Sequence, residues 1–290
     1  MKRFFVLLLV LSLLLCACGR EQPEQTEPAP QQTEPIPSET VHSGEAEGIL
    51  DPDTRIVYLL VRSVVTNDAG QELSGKEFAY DDRGFCVSER QYSNVGGSGY
   101  TCLHTPDSQG RLAASAYTEP DGTQYTIEYT YDDQGRVRTE TVLREEITER
   151  TEYTYDDQGN YLTLKQYMGG ELAVDYSFSY TYDVNGRKTT LDEYLFGELM
   201  YHIRFTYDDQ GRETGSTSIL SSGEIQSRTE SQWDGLTETR LYFSGEDTEP
   251  FMVSVFTYNE DGNVVFEETR QGDTVINRAE YFYEPFEVKK

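Results

Sequence analysis

Tyr129-Thr130-Tyr131-Asp132-Asp133-Gln134-Gly135-Arg136 decides how this chain is built, because it keeps coming back. It returns as Tyr153 to Asn160, Tyr180 to Arg187, Phe205 to Arg212 and Phe256 to Asn263, and in worn form as Phe78 to Phe85. The second aromatic of each copy is Tyr80, Tyr131, Tyr155, Tyr182, Tyr207 or Tyr258. Pro106, Trp233 and Tyr283 stand in the gaps, so the steps along the chain are all 24 to 27 residues. A fixed period of that length marks a repeat protein, in which each unit buries its apolar face against its neighbours.

Within a copy the side chains alternate: Tyr125, Ile127, Tyr129 and Tyr131 interleave with Gln124, Thr126, Glu128 and Thr130. The runs Tyr176, Phe178, Tyr180, Tyr182 and Tyr201, Ile203, Phe205, Tyr207 alternate likewise. A period of two means β-strands with one aromatic and one polar face. The Asp-x-x-Gly that follows suits a three-residue hairpin loop ending in a residue of positive φ, a conformation that glycine adopts without strain. Gly135, Gly159, Gly186, Gly211 and Gly262 are predicted to be those residues. Such a loop sets Tyr131 opposite Val137, Tyr155 opposite Tyr161, Tyr258 opposite Val264 and Phe256 opposite Phe266, while Tyr182 meets Lys188 and Tyr207 meets Glu213. A looser set of turns, at 67–70, 94–99, 120–122, 169–170, 197, 222–223, 245–246 and 271–272, divides each period into two strands. The prediction is an all-β chain, a repetitive antiparallel hairpin meander of about 18 strands from Arg55 to Glu287. A sheet that wide twists and curls. With only 36% hydrophobic residues and no helical stretch to cover the aromatic face, it should curl with that face inward, as a coiled sheet or an irregular barrel.

Ahead of the repeats, Lys2 and Arg3 precede an apolar run of 14 residues from Phe4 to Ala17, the pattern of an export signal. The run is shorter than the roughly 20 residues of a spanning helix. Leu15-Cys16-Ala17-Cys18 resembles the lipobox of bacterial lipoproteins, which implies cleavage before Cys18, loss of Cys16 and acylation of Cys18. Two or more acyl chains give stable anchoring. From Gly19 to Leu50 there is no aromatic residue, and five of the ten prolines occur there, so the segment reads as a disordered tether. The expected organisation is a signal at 1–17, a lipidated N-terminus and tether at 18–50, and a repeat domain at 51–290. The expected place is outside the cytoplasm, on the bacterial cell membrane.

Formal net charge is -28, and -30 once Lys2 and Arg3 are removed. An acidic chain of this kind repels phosphate backbones, which excludes nucleic acid as a partner. Acidic surface keeps an exported, strand-rich protein soluble, so the charge needs no ligand to account for it.

The motif resembles the unit of the YD-repeat family, also called RHS-type repeats, Tyr-Asp-x-x-Gly-Arg between aromatic strands. Tyr131 to Arg136, Tyr182 to Arg187 and Tyr207 to Arg212 match it fully, and the resemblance runs from about Phe78 to Tyr283. It implies strands coiled into a spiralling sheet, which forms a shell in large toxin-associated members, and a role in surface adhesion and carbohydrate binding in smaller ones.

Residues able to carry chemistry are few. Cys86 and Cys102 share the parity of the aromatic face on adjacent strands, which leaves a disulfide and a pair of small buried hydrophobes both open, since a bridge needs direct opposition. The pairs Asp132-Asp133, Asp156-Asp157 and Asp208-Asp209 offer too few spaced ligands for calcium and suit turns instead. His42, His104 and His202 sit in no catalytic motif, so neither an enzyme nor a cofactor or metal is expected. Most of the 22 tyrosines serve cross-strand ladders. Binding residues are therefore sought among aromatics that break the repeat, Tyr100, Tyr117, Tyr194 and Tyr242, with a glycan or another envelope component as the ligand. A structural docking subunit of an envelope or secretion assembly is the other reading.

Overall fold

The computed structural model describes residues 54–144 and 148–289. The signal, Cys16, Cys18 and the tether lie outside them. Within them the chain is all β. The first half runs β1 (Thr54–Thr66), β2 (Glu72–Tyr80), β3 (Cys86–Ser93), β4 (Gly99–Pro106), β5 (Leu112–Thr118), β6 (Gln124–Tyr131), β7 (Val137–Leu143), β8 (Thr148–Tyr155) and β9 (Tyr161–Met168). The second half is β10 (Glu171–Tyr182), β11 (Lys188–Leu195), β12 (Glu198–Tyr207), β13 (Glu213–Leu220), β14 (Ile225–Asp234), β15 (Thr237–Ser244), β16 (Met252–Tyr258), β17 (Val264–Gln271) and β18 (Thr274–Lys289). Each strand pairs antiparallel with the next. β1 then pairs with β18, from Thr54 opposite Lys289 to Thr66 opposite Arg278, and closes the sheet into a barrel.

The turn follows from its residues. In the first full copy, Asp132 N–H donates to the Arg136 carbonyl at 2.8 Å, and Gly135 N–H donates to the Asp132 carbonyl at 3.0 Å. Gly135, Gly159, Gly186, Gly211 and Gly262 have φ of +81°, +87°, +78°, +84° and +81°, as the loop type requires. The same pair of bonds closes Asp107 to Arg111, a copy that the proline before it conceals, and also closes 67–71, 119–123 and 220–224 from the looser set. That set is therefore not uniformly looser than the motif turns.

The expected pairs Tyr131 with Val137, Tyr155 with Tyr161, Tyr258 with Val264, Tyr182 with Lys188 and Tyr207 with Glu213 are present. The pairing of Phe256 with Phe266 is not: Phe256 lies opposite Glu267, and Thr257 opposite Phe266. The cause is a β-bulge that skips one residue after Val264. The same register shift recurs at Ala79/Tyr80, Thr105/Pro106, Thr130/Tyr131, Thr154/Tyr155, Thr181/Tyr182 and Thr206/Tyr207. A bulge bends its strand and raises local twist. Repeated at one level of the wall, it supplies the curvature that closure needs.

The aromatic residues share one face, because directly paired residues point the same way. That face holds Tyr153, Leu164, Val174, Tyr176, Phe178, Leu191 and Phe256, all buried, as only the concave side of a closed sheet permits. The convex face is polar and carries threonine ladders, with Thr130 to Thr139, Thr154 to Thr163 and Thr181 to Thr190 each 2.7 Å apart between hydroxyl oxygens. Phe243 is an exception, buried on the convex side under the Arg228 guanidinium, 4.2 Å from its ring centroid. No helix among the described residues is long and apolar enough to cross a membrane.

Candidate functional site

Two systems of side chains stand out, and the first is the motif itself. Asp132 Oδ1 accepts the N–H groups of Gln134 and Arg136, and Oδ2 accepts Arg136 Nε at 2.7 Å. The Arg136 guanidinium then lies 4.7 Å from the Tyr155 ring centroid and donates to the Asp156 carbonyl at 2.9 Å. Tyr155 in turn donates its hydroxyl proton to the Val137 carbonyl at 2.7 Å. The cycle recurs with Asp107, Arg111 and Tyr131, whose hydroxyl donates to Leu112 O, and with Asp183, Arg187 and Tyr207, whose hydroxyl donates to Lys188 O. Asp208 and Arg212 do the same with Trp233, whose indole N–H donates to Glu213 O. The Arg187 backbone N–H, followed by its side chain, holds the Asp183 carboxyl below the ordinary range. The motif's Asp and Gly thus close the turn, and its Arg and Tyr tie one repeat to the next. The first aspartate of each pair is taken up by these bonds, Asp156 also by the Tyr182 hydroxyl of the next repeat, and does not join the second as a paired ligand.

The second system lies where the repeat is worn, on the inner wall of β2 to β6. Glu89 faces Cys102, Cys102 faces Tyr117 and Tyr117 faces Tyr125, a row across four strands. In the next row His104 faces Ser115, which faces Ile127. Tyr100 donates its hydroxyl proton to Glu89, and Lys76 Nζ sits 3.2 Å from the same carboxylate. The Tyr117 ring stacks on Tyr125 with centroids 4.8 Å apart, and Tyr100 meets Tyr117 edge-on at 5.3 Å.

His104 Nδ1 is 2.9 Å from Ser115 Oγ and 3.6 Å from Cys102 Sγ, a grouping with the outward look of a nucleophilic site. Its electrostatics oppose that use. Burial pushes the Cys102 thiol up and the His104 imidazolium down, so both are neutral at pH 7, whereas cysteine attacks as thiolate. Ser115 is fully buried.

Of the predicted site residues, Tyr100 and Tyr117 are brought together. Tyr194 lies on the convex face, opposite Ser177 and Leu199, and Tyr242 lies inward on β15, opposite Thr229 and Met252, so the four form no single site. Cys86 and Cys102 are free thiols, since Cys86 pairs with Tyr80 whereas Cys102 pairs three positions further along β3, with Glu89.

Sequence reasoning missed the inward carboxylates. Glu89, Glu140 and Glu267 face Phe78, Tyr129 and Phe256, all at one repeat position, and Glu193 faces Phe178. Tyr153 donates to Glu140 at 3.1 Å, yet burial still holds that carboxyl above the ordinary range. Glu193 is 5% exposed, and burial pushes its carboxyl up too. The recurrence of glutamate nine residues after the second aromatic, at 89, 140 and 267, is the signal that was there to find.

Residues 107–146 are an RHS repeat by their match to the RHS Repeat family model, and they contain two consecutive motif turns with the Arg111–Tyr131 contact between them. No curated protein matches the chain. Among solved structures, TcdB2-TccC3 without its hypervariable C-terminal region is 13% identical over 72% of this chain, with a TM-score of 0.35, and the match spans 12% of that chain. A porin-like protein from Bacteroides uniformis ATCC 8492 is 14% identical over 78% of this chain and 98% of its own, with a TM-score of 0.31. Another from Bacteroides vulgatus ATCC 8482 is 12% identical over 78% and 98%, with a TM-score of 0.32. At scores below 0.5, neither activity nor partner carries over from these proteins.

Proposed function

We propose that this barrel of RHS-type repeats is a non-catalytic scaffold of a bacterial envelope, held to the cell membrane by lipid on Cys18 and docking other envelope components. The observation that carries the reading is the use of the motif: its Asp and Gly close each turn and its Arg and Tyr are bonded from repeat to repeat, so the most abundant pattern in the chain builds wall. Two further features support it. The Cys102 and His104 pair is neutral, and the convex face carries threonine and charge where a membrane barrel carries an apolar band, which suits a wall standing in water on a tether.

A glycan is the second reading, favoured by the three tyrosine rings beside Glu89 and Lys76, since aromatic faces stack on sugars and carboxylates bind their hydroxyls. A glycan array probed with the chain from Ser43 onward decides between them. Retention that disappears in both Tyr100→Ala and Tyr117→Ala would put the sugar first; no retention leaves the scaffold. For the anchor, Cys18→Ala should leave the precursor uncleaved and free of lipid, whereas Cys16→Ala should change nothing. Mature, acylated protein from Cys18→Ala would remove the anchor from this proposal.

A further inference from the structure

Phe196 is the one non-glycine among the described residues with positive φ, +49°. It occupies the first position of the two-residue turn between β11 and β12, with Gly197 at φ +81° after it, a turn that favours asparagine, aspartate or glycine. The equivalent turn between β9 and β10 uses Gly169 and Gly170, at φ +59° and +88°. An aromatic residue held in the left-handed region costs free energy that glycine would not, and such strain persists where it serves a use. Packing does not repay it, because Phe196 is 55% exposed. Its position is firmly held, for its N–H donates to the Asp175 carbonyl at 2.7 Å.

Around it the polar character of the convex face breaks. Leu172 is 43% exposed opposite Tyr167, and Tyr194 stands opposite Leu199, so the ends of β9 to β12 present Tyr167, Leu172, Tyr194, Phe196 and Leu199 together. Glu171 and Glu198, both exposed, border these residues. The neighbouring bases are already taken, Lys165 by Asp175 and Arg150 by Glu152. The border is therefore acidic. A second copy, at net charge -28, would bring like charge to it, and an anionic lipid surface would be repelled.

We infer that this corner is a docking surface for a cationic polypeptide segment that carries apolar side chains, with Phe196 and Leu172 as its anchors and Glu171 and Glu198 as its charge partners. Exposed aromatic anchors ringed by charge are the usual form of an interface hot spot. The inference adds a partner chemistry to the scaffold reading, but it stands on the Phe196 corner alone and holds or fails whatever Cys18 and the tyrosine cluster do.

The test uses the full chain in non-ionic micelles and a short fluorescent peptide of alternating lysine and leucine, with empty micelles as blank. Phe196→Gly relieves the strain, so it should raise the thermal midpoint while weakening the peptide by about tenfold or more. Glu171→Gln with Glu198→Gln should weaken it comparably, whereas Asp133→Asn with Asp157→Asn, which removes the same charge at the opposite end of the barrel, should not. Absence of peptide binding to the parent overturns the inference. So does an unchanged affinity or a lowered midpoint in Phe196→Gly, or an equal loss in the two double variants.

Discussion

A carboxyl buried on the aromatic face couples this fold to pH. Glu193 sits among Tyr176, Phe178 and Tyr201 with its carboxyl pushed up by burial, so the folded chain holds its proton more tightly than the unfolded chain does. The sign follows: the stability linked to this group is complete below the unfolded carboxyl range and is lost as pH rises through the raised folded value. Glu193→Gln, which stays neutral, should therefore unfold at a higher urea midpoint than the parent at pH 7 and at nearly the same midpoint at pH 4. Equal gains at both pH values would show that the carboxyl is not protonated on folding. Gly135 makes the complementary case. At φ +81° with open space around its Cα, Gly135→Val pays only for conformation, about 1 to 3 kcal/mol. Gly272, at φ +57° and equally unobstructed, should lose a similar amount, although its turn lacks the motif. A urea titration of both variants measures the two losses side by side.

The hairpins hold one another through arginine. Arg136 reaches from its own turn to the Tyr155 ring and the Asp156 carbonyl of the next, so Arg136→Ala removes one cation–π contact and one hydrogen bond between repeats, about 1 kcal/mol in all. Arg83 provides the control. It stands two residues after Asp81, where most of the other turns have glutamine or asparagine, and pairs with that aspartate inside its own turn, while Phe85 holds the motif's arginine position. Hydrogen exchange should thus quicken across β6 to β9 in Arg136→Ala, and Arg83→Ala should loosen little beyond its own turn. Comparable spreading in the two variants would mean that the stacked ring contributes nothing to the coupling.

Closure decides the behaviour of the whole molecule. β1 and β18 are the longest strands, at 13 and 16 residues, and their pairing leaves the sheet without an edge. Arg278 bridges the seam at one end, donating to Glu268 at 2.6 Å and to Asp68 in the turn after β1 at 3.1 Å. Deleting residues 274–289 exposes β1 and β17 as edges, so the shortened chain should associate, read as growth in light scattering with concentration. A truncated chain that stays monomeric and unfolds as cooperatively as the parent would show that the barrel does not depend on its seam.

The amino-acid sequence alone determined the strands, their number, the meander and the five turn glycines, because alternation and turn chemistry act over a few residues and each hairpin is complete within one period. It also carried the two tyrosines that meet, Tyr100 and Tyr117, as departures from the repeat. Tertiary structure decided what alternation cannot encode. Alternation records parity, and a bulge skips one residue without any mark in the pattern. Phe256 consequently lies opposite Glu267, and Glu140 is turned onto the aromatic face. The free thiols follow from register in the same way, for two cysteines of one parity meet only if the strands also align them. Closure lay furthest from view, since β1 and β18 find each other across more than two hundred residues and their pairing is set by the curvature summed over every bulge between them.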